Sequence, residues 1–370
     1  MINVMHVIDS LAIGGKERIL VDMVNACDPA KFSMSVCVTR SDASLCDEIQ
    51  PNIPVKVLHR QHKWSRSGFI ELQKFAQQQN IDLYHAHGRS TLSFLLAARQ
   101  LRIIREPILF HDHFGDIEID TQVPAWFRYW GSRHIDYYVG VCNELVDWAV
   151  GAGVSQMRAS MIANALDIQR FAVLPALDLR QMFDIPIEQK IGIMVGNLRP
   201  VKGLDLLISA CSKIPKNILP VFFIIGEVQD ADYVQDCLSL IHKNGLEQHF
   251  HFVGRRLDSL SWMKGADFAV LPSRSESGPL VLIEFMACGL PFLSFAVGGI
   301  SHTVKQYLPD GFAMPKDYYQ FATKLENLIK MPYERMKEQG EVARKLSFEL
   351  FNVQNRMPSW YAIYQQVINN

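Results

Sequence analysis

Short, almost wholly apolar runs alternate along this chain with longer stretches whose apolar residues recur at helical spacing. Asn3 to Ile8 is one such run, SLAIGG follows as a loop, and Glu17 to Ala26 carries Ile19, Leu20, Met23 and Val24 on a helical face. The pattern then repeats: FSMSVCVTR reads as a strand, FIELQKFAQQQN as a helix, DLYHAH as a strand, STLSFLLAARQLR as a helix and PILFHDH as a strand. HIDYYVGVC and SMIAN carry it to about residue 165. Strands with no polar face, joined by amphipathic helices, predict a parallel sheet covered on both sides.

Between Phe171 and Gln189 the alternation lapses into a stretch with two prolines and no strand, and the domain junction is placed there. It restarts with KIGIMVGN, PVFFIIG, HFHFVG and DFAVLPS as strands, separated by the helical stretches LDLLISACSKI, DYVQDCLSLIHKNG and SLSWMKGA. The chain closes with helices from Tyr318 to Asn370, whose Phe351, Trp360, Tyr361 and Tyr364 need cover. The expectation is an α/β protein of two Rossmann-like domains, over 1–170 and 190–345, with a linker at 171–189 and parallel sheets facing a central cleft. A terminal helix over 346–370 is expected to pack back on the first domain.

A length of 370 residues agrees with two domains at the usual ~150 residues each. The net charge is −1, from 37 Lys and Arg against 38 Asp and Glu, so no global field draws the protein to nucleic acid. Seven scattered cysteines without CxxC spacing argue against a disulfide framework and a structural zinc site. A reducing cytoplasm is the expected compartment. The N-terminus lacks a cationic segment ahead of its apolar run, which is unlike a signal peptide.

Ligands of such sheets bind outside the carboxyl ends of the strands, so the loops there hold the candidate chemistry. SESGPLVLIEFMACGLP places Glu276 just before a short helix and Glu284 inside it, with Pro279 at the helix entry and Gly289 and Pro291 beyond its end. The free amides around Gly278, Pro279 and Leu280 suit an anionic or polyhydroxylated ligand, although proline itself donates nothing. Gly14 and Gly15 would let backbone amides approach a phosphate. Arg199 and Lys202, in VGNLRPVKG, are cations able to neutralise a diphosphate leaving group. His85 with His87, and His111 with His113, alternate on strands and can line one face. Beside Asp112 and Asp116 they also admit a zinc or manganese site. Each of these groups has an ordinary alternative as a turn, a cap or a solvated charge. Residues 56–74 hold five Lys or Arg against one Glu, with Trp64 among them, and are a candidate for peripheral contact with a membrane or an anionic acceptor.

SESGPLVLIEFMACGLPFLSFAVGGI resembles the retaining GT-B glycosyltransferases of family four, also called glycosyl transferases group 1. Their motif is two glutamates separated by seven residues, then an alanine-small-Gly-Leu-Pro run and a Gly-Gly turn, here Gly298 and Gly299. AIGGKE, DLYHAHG, IANALDIQRF, VGNLRPVKGLDLLISA, FFIIGE and HFVG extend the resemblance over nearly the whole chain. It implies transfer of a hexose from a nucleotide diphosphate sugar to a hydroxyl acceptor, with retention at the anomeric carbon and no metal or other cofactor. The acceptor would be a glycan or a lipid-linked molecule of the cell envelope, met at the inner face of the membrane. The first domain would bind the acceptor and the second the nucleotide sugar. Glu284 would hold the ribose, Glu276 the donor sugar near its reacting carbon, and the Gly14–Gly15 loop the diphosphate. His113 falls at the family's active-site histidine, with His111 as the alternative register.

Two departures stand out. Asn197 occupies the place where the family commonly has an arginine, with Arg199 two positions later, and Glu227 follows Gly226 where a Gly-x-Gly is usual. They keep a second reading open: an inactive, sugar-nucleotide-binding subunit. Dinucleotide oxidoreduction is disfavoured because no GxGxxG follows the first strand.

Overall fold

The computed structural model describes residues 1–41, 43–62 and 64–369. They form two compact units, Met1–Asp167 with Asn352–Asn370, and Ile168–Phe351. Residues 171–189, read from the sequence as a linker, lie in the second unit. There the short helix Leu179–Met182 buries Leu179, and Arg180 reaches Asp267 at 2.7 Å. The terminal helical stretch divides: Tyr333–Phe351 belongs to the second unit and Val353–Asn369 to the first.

In the first unit, seven described strands are β1 (Ile2–Ile8), β2 (Phe32–Val38), β3 (Val55–Val57), β4 (Leu83–His87), β5 (Ile108–Asp112), β6 (Tyr137–Gly140) and β7 (Ala159–Met161). They pair in parallel in the order β3-β2-β1-β4-β5-β6-β7. Every residue of β4, β5 and β6 is buried, as continuous apolar runs predict. The period of two divides their side chains between two faces. Met5, Val7, Tyr84, Ala86, Ile108, Phe110 and Tyr138 fill the main core with the helix Arg89–Gln100. His6, His85, His87 and His111 point the other way, and Trp360 and Tyr364 of Val353–Asn369 lie over His85. Tyr361 of the same helix stacks on Phe32 at 4.4 Å.

The second unit has β8 (Ile191–Val195), β9 (Val221–Ile225), β10 (Phe250–Gly254), β11 (Phe268–Leu271), β12 (Phe292–Phe295) and β13 (Phe312–Ala313), parallel in the order β10-β9-β8-β11-β12-β13. The helix Leu280–Ala287 buries Leu282, Ile283, Phe285 and Met286 completely. At roughly 1.5–3 kcal/mol for each such side chain, this contact fixes the helix firmly. Gly298 and Gly299, expected as a turn, open a further helix, Gly298–Val304. In each sheet the strand order reverses once, at β1/β4 and at β8/β11, and a crevice opens at such a point beyond the strand ends.

Candidate active site

At the β8/β11 switch point the chain leaves β8 through Gly196 and Asn197 and makes a tight turn over Pro200–Lys202. Arg199 caps that turn, and the helix Leu204–Cys211 follows. Gly203, between turn and helix, has φ 72°, a left-handed conformation that favours glycine. A Cβ there would also overlap the carbonyl oxygen of Pro272, which directly follows β11. That close approach holds the turn against the loop carrying Glu276. Arg274 completes the join with two bonds to Asp205, at 2.9 and 2.6 Å, and its amide donates to the Val201 carbonyl at 2.7 Å. Arg274 lies outside the quoted motifs and Asp205 carries no marked role within VGNLRPVKGLDLLISA, so sequence reading had no signal for this clamp.

The result is a contact between two of the sequence-selected residues. Lys202 Nζ lies 2.6 Å from Glu276 Oε1, with the Glu276 side chain 8% and that of Lys202 18% exposed. A cation and a carboxylate thus share a mostly desolvated position at the mouth of the sheet. Glu284, in the helix Leu280–Ala287, is half-buried and faces Arg170 at 3.6 Å. Arg170 is a further residue that the sequence did not mark. Pro279 caps that helix instead of occupying its first turn, leaving Gly278 half-buried and Leu280 buried at the entry. Asn197 is exposed and accepts from the Glu227 amide at 3.4 Å. Gly226 lies so close to the Gly196 carbonyl that a Cβ would overlap it, which explains the retained glycine and gives Glu227 a backbone role: its carbonyl accepts from the Leu198 amide.

In the first unit the β1/β4 switch point gathers the Gly14–Gly15 loop, Lys16, Gly88 and the histidines. Gly14 is extended and caps the helix Gly15–Asn25. Glu17, in that helix's first turn, is buried 3.5 Å from Lys16, and burial raises its carboxyl above the usual range. His113 lies just past β5 and is half-buried, its Nε2 3.4 Å from His87 Nδ1. Burial lowers His113 to about 3, with Lys16 adding to the effect, so the ring is neutral. His111 is buried above it, ring centroids 3.9 Å apart. Asp112 faces away: burial raises its carboxyl, and it meets Arg89 at 3.4 Å and the Tyr138 hydroxyl at 3.2 Å.

Three of the cations in 56–74 are paired with carboxylates, one of them buried. Arg60 is buried against Asp9 at 2.6 Å and over the Phe94 ring, while Lys56 and Lys74 both pair with Glu71. Trp64 is exposed, and Lys63 lies outside the described residues. No described helix is long and apolar enough to cross a membrane.

Residues 13–170 match the sequence family Glycosyltransferase Family 4, and residues 177–346 match Glycosyl transferases group 1. The chain belongs to the family-four glycosyltransferases. Like other members, the glycosyltransferase is a hexosyltransferase, of a family that retains anomeric configuration and transfers without a metal. It is 24% identical over 306 residues to N-acetyl-alpha-D-glucosaminyl L-malate synthase of Bacillus anthracis, covering 81% of this chain and 78% of that one. It is 27% identical to UDP-Gal:alpha-D-GlcNAc-diphosphoundecaprenol alpha-1,3-galactosyltransferase of Escherichia coli, over 66% of this chain and 65% of that protein's length. Its fold matches crystalline HepE of Anabaena in complex with UDP and glucose, with TM-score 0.79, 20% identity, and 100% of this chain and 99% of that one covered. Both units thus have the GT-B domain fold.

Proposed function

We propose that the glycosyltransferase binds a nucleotide diphosphate sugar on its second unit and moves the hexose to a hydroxyl of a cell-envelope glycan or lipid-linked acceptor. The Lys202–Glu276 contact at the β8/β11 switch point carries this reading. Lys202 is the cation that meets the diphosphate, assisted by Arg199, Asn197 and the amides of Gly278 and Leu280 at the helix entry beside Pro279. Glu276, released from Lys202, accepts from hydroxyls of the donor sugar, and Glu284 accepts from the ribose. The Gly14–Gly15 loop offers amides to a phosphate, and neutral His113 offers a hydrogen bond to the sugar.

As the anomeric carbon–oxygen bond breaks, negative charge grows on the departing diphosphate, and a fixed ammonium there stabilises that charge without prior reorganisation. The acceptor oxygen bonds to the anomeric carbon on the face the diphosphate leaves, and its proton passes to the leaving phosphate. Retention then needs no protein nucleophile. UDP is the first donor nucleotide to test, because HepE was crystallised with it.

Calorimetry with UDP, GDP and ADP and their sugars tests the assignment. One nucleotide should bind clearly better than the others, and Glu284→Ala should weaken the nucleotide but not inorganic pyrophosphate. Equal binding of the nucleotide by the variant overturns the ribose role. Tight binding with no donor turnover under any acceptor would instead favour an inactive subunit.

A further inference from the structure

The face of the first sheet turned to Val353–Asn369 is lined by imidazoles. His6 and His85 are register partners across β1 and β4, as are His87 and His111 across β4 and β5, and His113 follows at the strand end. His6, His85, His87 and His111 are each at most 1% exposed. Burial, and for His85, His87 and His111 also the neighbouring imidazoles, pushes the four buried rings far below the ordinary histidine range. Neutral imidazole is the form that binds borderline transition metals.

The hydrogen bonds use some of these nitrogens and leave others. His6 Nδ1 lies 3.0 Å from His87 Nε2, and His85 Nδ1 lies 2.9 Å from the Tyr364 hydroxyl. Both nitrogens of His111 and Nδ1 of His113 are buried without a partner. An unpartnered buried polar atom costs about 1–3 kcal/mol, a cost that a ligand at these nitrogens would remove. Two triads, His6/His85/His87 and His87/His111/His113, bring one ring nitrogen from each member within 4.8 Å of the others. In the first, His6 Nδ1 and His87 Nε2 are a tight hydrogen-bonded pair at 3.0 Å, whereas in the second the weaker contact of His87 Nδ1 with His113 Nε2 has the 3.4 Å spacing that a shared ion requires.

We propose that His87, His111 and His113 form a binding site for one divalent transition-metal ion of the zinc class, entered past half-buried His113 and not required for the transfer itself. His87 Nδ1 and His113 Nε2 are 3.4 Å apart. Two nitrogens on a tetrahedral zinc, each at ~2.0–2.1 Å, would be about 3.3 Å apart. With Nδ1 as ligand, His87 donates its Nε2–H to His6 Nδ1, the outer-shell bond that fixes ring and tautomer in histidine metal sites. His6, then carrying its proton on Nε2, donates to the Tyr364 hydroxyl at 3.5 Å, which in turn donates to His85 Nδ1 at 2.9 Å. His111 supplies the third nitrogen, and the fourth position is left to water. An occupied site engages His113 Nε2 and so competes with any contact of that nitrogen to sugar, which makes the ion an inhibitor of a metal-independent enzyme.

The test uses the full chain freed of metal by chelator. Titration with Co²⁺ should give visible ligand-field bands that saturate at one equivalent, and Zn²⁺ should displace them and raise the melting temperature. His111→Ala should abolish the bands, while His6→Leu should weaken zinc about 10- to 100-fold through loss of the outer-shell bond. Circular dichroism establishes that the variants are folded, and the wild-type titration stands even if one is not. Absence of saturable Co²⁺ bands in the wild type, or their persistence in folded His111→Ala, overturns the site. These readouts need no nucleotide, so their failure is distinct from failure of the donor assignment.

Discussion

Replacing Lys202 by alanine separates two roles of one side chain. In the free protein the lysine neutralises Glu276, whose side chain is 8% exposed. Removing one partner of a fully buried pair costs 3–5 kcal/mol. Lys202 is itself 18% exposed, so partial solvation reduces the expected loss to about 2 kcal/mol. For a unit of this size that is a fall in melting temperature of roughly 4–8 °C. Adding Glu276→Gln removes the stranded charge and should restore most of the stability. Donor binding should behave differently: loss of a charge-assisted contact to phosphate, about 1.5–3 kcal/mol, weakens affinity about 10- to 100-fold, and the double variant should not recover it. Thermal melts and calorimetry on the wild type, both single variants and the double variant close the cycle. An unchanged melting temperature in Lys202→Ala, or no recovery in the double variant, refutes the stability argument; unchanged nucleotide affinity refutes the phosphate role.

Two further outcomes follow from the same clamp. Gly203→Ala forces a left-handed residue with a Cβ against the Pro272 carbonyl, and urea unfolding should show about 2–4 kcal/mol of lost stability; a midpoint equal to wild type would show that the close approach is relaxed at no cost. Burial raises the Asp205 carboxyl, but hydrogen bonds from Arg274 and Tyr233 outweigh it and hold the group below 3.8. Its folded value being depressed, its contribution is complete above about pH 4 and is lost as pH falls through the lowered value. The gap in urea midpoint between wild type and Asp205→Asn should therefore be flat from about pH 7 to 5 and close on further acidification, and a gap that widens contradicts the assignment.

The parts legible in the sequence were those written locally. Buried strands such as β8 and β11 announce themselves as apolar runs, and the helix Leu280–Ala287 is punctuated by Pro279 and Gly289. The edge strands β3 and β13, with three and two residues, are too short to make a pattern. Contacts between distant positions were hidden for a different reason. Arg60 looked like a surface cation in a basic stretch, yet it is buried against Asp9, 51 positions away. Arg274 and Asp205 are 69 apart, and His6 joins His87 across 81. Alternation predicted that His85 and His87 share a face, but only strand order shows that His6 and His111 join them.

The first unit is discontinuous: it begins with Met1 and is completed by Asn352–Asn370, while Ile168–Phe351 is one unbroken span. On a ribosome, the half encoded second therefore has all its parts before the half encoded first. Until the last helix emerges, Phe32, His85 and His111 lack the aromatic cover of Tyr361, Tyr364 and Trp360. A chain shortened by Asn352–Asn370 should thus carry a complete second unit and a first unit with one sheet face bare, open to chaperones and proteases.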